Sequence, residues 1–179
     1  MGAMVPALLI ALFAVSRPEA WVAPSLLDPL DPDATRPVHG DDNPRELTVR
    51  KHADVAAALG ERESLLLFVR ADDEPLQNLS VVPEPPSDAI PAPLVLRPMP
   101  VRVGPSGART LQGRATFLDA LAPAVPASLP AGGTAAYWLT YDVPTTATPG
   151  RYAHDIQVLQ GEEKLLTVEV TLRVFGFEL

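Results

Sequence analysis

Apolar and polar positions alternate with a period of two along the last third of the chain. In "KLLTVEVTLRV", Leu166, Val168, Val170, Leu172 and Val174 fall on one side, and Leu165, Thr167, Glu169, Thr171 and Arg173 on the other. Successive side chains of a strand point to opposite faces, so this pattern describes a strand with one buried and one wet face. "RYAHDIQVL" sets Tyr152, Ile156 and Val158 against Ala153, Asp155 and Gln157, and "TAAYWLTYDV" aligns Tyr137, Leu139, Tyr141 and Val143. Leu65–Val69 is apolar on both faces, as in an inner strand of a sandwich. Together the patterns predict strands over 47–51, 62–70, 77–82, 94–103, 135–143, 151–159 and 164–174. The segment 94–103 is interrupted by prolines and reads as an edge strand or an extended crossover.

Turn chemistry fills the gaps. In "DVPTTATPGRY", Pro149 fits the second position of a type II turn and Gly150 the third, which requires positive φ. "LQGEEK" predicts a hairpin with Gly161 in the left-handed conformation. Short strands about ten residues apart, separated by such turns, predict an all-β, immunoglobulin-like antiparallel β-sandwich. The 21 prolines reinforce this, because prolines scattered so densely cut long helices.

The beginning of the chain has a different texture. "VPALLIALFAV" (5–15) is an unbroken apolar run of eleven residues followed by "SRPEA". A bilayer span needs roughly 20 apolar residues, so the run matches a signal-peptide core rather than a membrane helix. Cleavage sites fall after Ser16 or after Ala20, giving a signal peptide over 1–20. Residues 21–45 carry prolines every few positions and no strand or helix period, and read as an extended, disordered proline-rich leader, with Trp21 and Leu26 or Leu27 docking onto the domain. The sandwich is expected over 46–179, in a periplasmic or extracellular protein with no membrane span after signal cleavage. The alanine-, proline- and arginine-rich composition points to a bacterial source.

Charge and cysteine content narrow the chemistry. A formal net charge of −8 disfavours phosphate backbones, so nucleic acid is not an expected partner. The absence of cysteine removes disulfides, thiol catalysis and thiolate metal sites together.

Four segments in order carry a family resemblance. "GERESLLLFVRAD", "FLDALAP", "AAYWLTYDVPTTATPGRY" and "VFGFEL" resemble, respectively, the strand entry, a proline-bearing loop, the strand–turn–strand and the exit segment of the N-terminal β-sandwich of glycoside hydrolase family 123 and its relatives. The resemblance covers about Glu46–Leu179 and implies a non-catalytic module, since that family's catalytic carboxylates lie in a following barrel. It departs from the family where His154 replaces a usual glycine, where "FLDALAP" lacks a tryptophan, and in the missing barrel. What it implies is an exported scaffold or docking domain, not an enzyme. Its partners would be a catalytic domain, another envelope protein or carbohydrate.

The side chains that could carry function are few. Phe175, Phe177 and Leu179 continue the outward parity of Thr167–Arg173, placing large apolar groups where the core does not need them, and are candidate partner-docking residues. Trp138 is a candidate sugar-stacking residue, which would make the chain a stand-alone glycan-binding or adhesion module. Trp138 and Tyr141 have opposite parity, so at most one of them faces water. A third reading, a small hydrolase, would use Glu61 and Glu63, which share a face; the flanking Arg62 and Arg70 make a salt-linked edge the simpler account. His154 beside Asp155 does not form half a triad, because strand neighbours point apart. The acidic stretches Asp28–Asp33 and Asp72–Glu74 read as solvated loops, and the spacing of His39, His52 and His154 fits no metal site. No cofactor is expected.

Overall fold

The computed structural model describes residues 18–24, 52–102 and 116–178. Among them ten strands form two five-stranded sheets: β1 (Glu19–Pro24), β2 (His52–Leu59), β3 (Arg62–Arg70), β4 (Leu76–Pro83), β5 (Leu94–Arg102), β6 (Thr116–Pro123), β7 (Ala127–Leu129), β8 (Thr134–Asp142), β9 (Gly150–Gln160) and β10 (Glu163–Glu178). One sheet has the order β1-β3-β8-β5-β6 and the other β2-β10-β9-β4-β7. The fold is an all-β sandwich, as the alternating pattern predicts.

The inward faces match their sequence parity. Tyr137, Leu139, Tyr141 and Val143 from one side meet Ile156, Val158, Val168, Val170, Leu172 and Val174 from the other, all almost wholly buried. Each such aliphatic contributes roughly 1.5–3 kcal/mol by leaving water. Leu65, Leu67 and Val69 of β3 join this core, while Leu66 and Phe68 are buried on the opposite face of the same strand. A strand flanked by β1 and β8 and covered on both sides explains why its sequence is apolar throughout.

Several elements differ from the sequence expectation. All pairings are antiparallel except β2 with β10, which is parallel. The consecutive strands β1 and β2 thus divide between the two sheets, closing one side of the sandwich from both. Strand β2, alanine-rich and low in intrinsic strand preference, is held by this pairing with β10 and buries Val55 and Ala57. Strand β1 lies in the stretch read as the end of the signal peptide and the start of the leader, yet it pairs along β3 and buries Ala20 and Val22. The expected strand at 47–51 and the rest of the leader lie outside the described residues. "FLDALAP", expected as a loop, is most of strand β6.

Strand β5 is neither a pure edge nor a crossover. It pairs with β8 only through Leu94–Leu96 and with β6 from Leu96 to Arg102. Pairing to β8 stops before Pro98 and Pro100, which have no N–H to give the ladder. Gly161 turns the β9–β10 hairpin at φ +62°, as expected, and its N–H donates to the Asn78 carbonyl at 3.1 Å. Gly150 does not: its φ is outside the positive region, and it opens strand β9 opposite Val174. The turn before β9 is closed instead by Tyr152, whose hydroxyl donates to the Thr148 carbonyl.

Candidate functional site

The end of β10 carries the aromatic residues singled out from sequence. Arg173, Phe175 and Phe177 stand on the outward face at every second position. The rings of Phe175 and Phe177 stack with centroids 5.6 Å apart and an interplanar angle of 24°. The guanidinium carbon of Arg173 lies 4.6 Å from the Phe175 centroid, close enough for cation–π attraction. The three side chains therefore form a column along the strand. Arg173 shields Phe175, leaving it half-buried, whereas Phe177 is 53% exposed. Leu179 lies outside the described residues. Phe175–Glu178 is not a free tail, because β10 runs on and Glu178 pairs with Leu59 after a register shift.

Around this column the outer face of the same sheet is charged. Arg151 donates to Asp54 at 3.2 Å, and His52 lies 3.1 Å from Glu169 and 3.6 Å from Asp54. These groups are well exposed, so the pairs contribute little to stability. They do set the chemistry of the face: cations and aromatics at the β10 end, carboxylates toward Glu169 and Asp155.

Trp138 sits on the outer face of the other sheet, half-buried between Leu66 of β3 and Leu96 of β5, its partners in the ladder. Tyr141, of opposite parity, is fully buried. The two aromatics thus divide as their parity requires.

Glu61, Arg62 and Glu63 are engaged locally. A carboxylate oxygen of Glu61 accepts the Ala58 N–H across the β2–β3 turn, and Glu63 accepts the Ser64 N–H. Arg62 donates through two nitrogens to one oxygen of Asp142, at 2.9 and 3.1 Å. In these contacts Arg62 pairs with Asp142 of β8, while Glu61 and Glu63 accept backbone N–H groups. Asp72, Asp73 and Glu74 are exposed, and Asp28–Asp33 lies outside the described residues. No group of three or more His, Asp or Glu among the described residues has a geometry that could hold a metal ion.

One relationship has no single-strand signature. His154 Nε2 lies 2.9 Å from the Tyr141 hydroxyl, a hydrogen bond crossing from β9 to β8 through the buried interior. The rings meet edge to face at 5.5 Å and 75°. Burial pushes the Tyr141 phenol well above its ordinary range and the His154 imidazole below its own. The inward parity of both residues was the available signal; that they face each other depends on how the sheets stack.

No protein-family model and no curated protein matches the chain. Among solved structures, a family 123 glycoside hydrolase from Clostridium perfringens, studied for glycolipid glycan hydrolysis, superposes with a TM-score of 0.63 at 15% identity. The match covers 89% of this chain and 28% of that enzyme. The PapD-like domain 7 of human CEP192 is matched at a TM-score of 0.43 and 12% identity, over 99% of this chain and all of that one. The Pseudomonas fluorescens alkylpurine DNA glycosylase AlkC is matched at 0.31 and 21% identity, over 66% of this chain and 27% of that one. The first likeness supports the sandwich fold; the other two are too loose to carry an argument. Among the described residues no helix is long and apolar enough to cross a membrane.

Proposed function

We propose that the chain is an exported, non-catalytic β-sandwich module resembling the N-terminal accessory domain of family 123 glycoside hydrolases, acting as a scaffold or docking domain. The observation that carries this reading is the exposed Phe177 at the end of β10, stacked on Phe175 on a face the core does not use. The fold likeness supports it, since this chain superposes on 28% of a family 123 glycoside hydrolase. An apolar group on the last strand, beside two arginines, suits contact with a second folded body. The location would be periplasmic or extracellular.

The test is capture of a separately expressed family 123 catalytic barrel by the full chain and by Phe177→Ser. The reading expects binding by the parent and its loss in the variant at unchanged melting temperature. Equal binding by both proteins, or by neither, overturns it. The second reading, a glycan-binding module, rests on the outward, half-exposed Trp138. Glycan-array binding that Trp138→Ala abolishes and Phe177→Ser leaves intact would establish it instead.

A further inference from the structure

We propose that the end of β10 recognises an acidic segment of a partner protein: a partner carboxylate pairs with the Arg173 guanidinium while a neighbouring apolar side chain packs on Phe177. This rests on the docking reading above and adds the chemistry of the partner. The charges on the outer face of this sheet are not balanced. Strands β9 and β10 set like charges directly opposite each other twice, Glu169 against Asp155 and Arg173 against Arg151. Such pairs are destabilising unless a counter-charge lies nearby. Strand β2 supplies two partners. His52 stands opposite Glu169, its Nδ1 3.1 Å from the carboxylate, and Asp54 accepts from Arg151 at 3.2 Å. Arg173 is left over. Its register partner on β2 is Ala56, and no carboxylate among the described residues pairs with it.

The guanidinium is nonetheless held in place. It lies 4.6 Å from the Phe175 centroid, and Phe175 in turn stacks on Phe177. A guanidinium set over one ring still has N–H donors to spare, in a planar fork that matches a carboxylate. Arg173 is thus an exposed cation, positioned in advance, on a chain of net charge −8. Holding the side chain before binding lowers the entropy lost when a partner arrives. Phe177, 53% exposed, supplies the apolar half of the site. It stands four residues from Arg173, about 13 Å along the strand. An extended partner segment with a carboxylate four residues from an apolar side chain spans both.

Charge complementarity selects this occupant over others. A wholly apolar surface could cover Phe177, but it would take Arg173 out of water with nothing to pair it, at a net cost. A second copy of the chain brings another net charge of −8, and two acidic bodies repel. A sugar ring needs an open aromatic face. Phe175 has none, with Arg173 and Phe177 on either side of it along the strand.

The experiment measures capture of a separately expressed family 123 catalytic barrel by the full chain, Arg173→Gln and Arg173→Glu, at about 0.05 M and about 0.5 M salt. The parent should bind more weakly at the higher salt. At the lower salt Arg173→Gln should bind roughly tenfold more weakly than the parent and lose most of the salt response. Arg173→Glu should not bind. Because Arg173 is exposed, both variants should keep the parent's melting temperature; if either does not, the salt response of the parent decides. Equal affinity for parent and Arg173→Gln, or a parent indifferent to salt, overturns the acidic partner and leaves the Phe177 contact standing. Absence of capture by the parent overturns both. Self-association that Arg173→Glu abolishes, or binding to acidic glycans that Arg173→Gln abolishes, would assign the cation to a second copy or to a glycan and overturn the proposal.

Discussion

Tyr152 donates its hydroxyl to the carbonyl oxygen of Thr148, four residues upstream, and so ties the start of β9 to the turn that precedes it. This is the geometry of a tyrosine corner, a device of Greek-key sandwiches in which one phenol fixes the entry angle of a strand. Tyr152→Phe keeps the ring packing and removes only the hydrogen bond. It should cost on the order of 1 kcal/mol, a fall in melting temperature of about 2–4 °C for a protein of this size. An unchanged melting temperature would mean that the phenol does not hold the turn.

The two glycines flanking β9 should respond oppositely to alanine. Gly161 stands at φ +62°, where any side chain is strained, although nothing lies within 4 Å of the added carbon. Gly161→Ala should cost about 1 kcal/mol through backbone strain alone. Gly150 has no such φ, and its new Cβ would meet the Tyr152 ring at 3.6 Å, an ordinary contact. Gly150→Ala should therefore leave the melting temperature nearly unchanged. Equal losses in the two variants would show that the turn before β9 also needs positive φ.

Strand β1 constrains where an exported form begins. Glu19 and Ala20 pair with Arg70 and Val69, and Ala20 is 3% exposed. Cleavage after Ala20 would remove both residues from the sheet, whereas cleavage after Ser16 keeps the strand whole. Mass spectrometry of the exported product should find Arg17 as the first residue. A mature chain starting at Trp21, or intact Met1 in the cytosol, would contradict this assignment.

What was legible in the sequence follows from how locally each feature is encoded. The predicted strand over 62–70 coincides with β3, and the inward sets of β8, β9 and β10 agree, because strict alternation over five or more residues reports burial directly. Strand β2 was missed because alanines carry little hydrophobic contrast; its place is fixed by a parallel partner more than a hundred residues away. Strand β1 was hidden by proline-rich flanks. The outward parity of Phe175 and Phe177 was readable, but Arg173 folding over one ring was not, since parity does not specify rotamers. The Tyr141–His154 bond required knowing which strands face each other across the core.

Val168 supplies the sharpest test of the inward assignment on β10. Its side chain has no solvent exposure, and it pairs with Ile156, also wholly buried. Val168→Asp would place a carboxylate in an interior of valine, leucine and tyrosine side chains. A buried, unpaired carboxylate costs several kcal/mol even after it shifts toward its neutral form, comparable with the whole stability of a domain of this size. The variant should therefore fail to accumulate as folded, soluble protein. Thr167→Asp, one residue away on the outward face and only half-buried, should change stability by no more than about 0.5 kcal/mol. Circular dichroism and thermal melts of the pair separate the two faces. If Val168→Asp folded and melted like Thr167→Asp, β10 would be turned the wrong way round and the core would have to be redrawn.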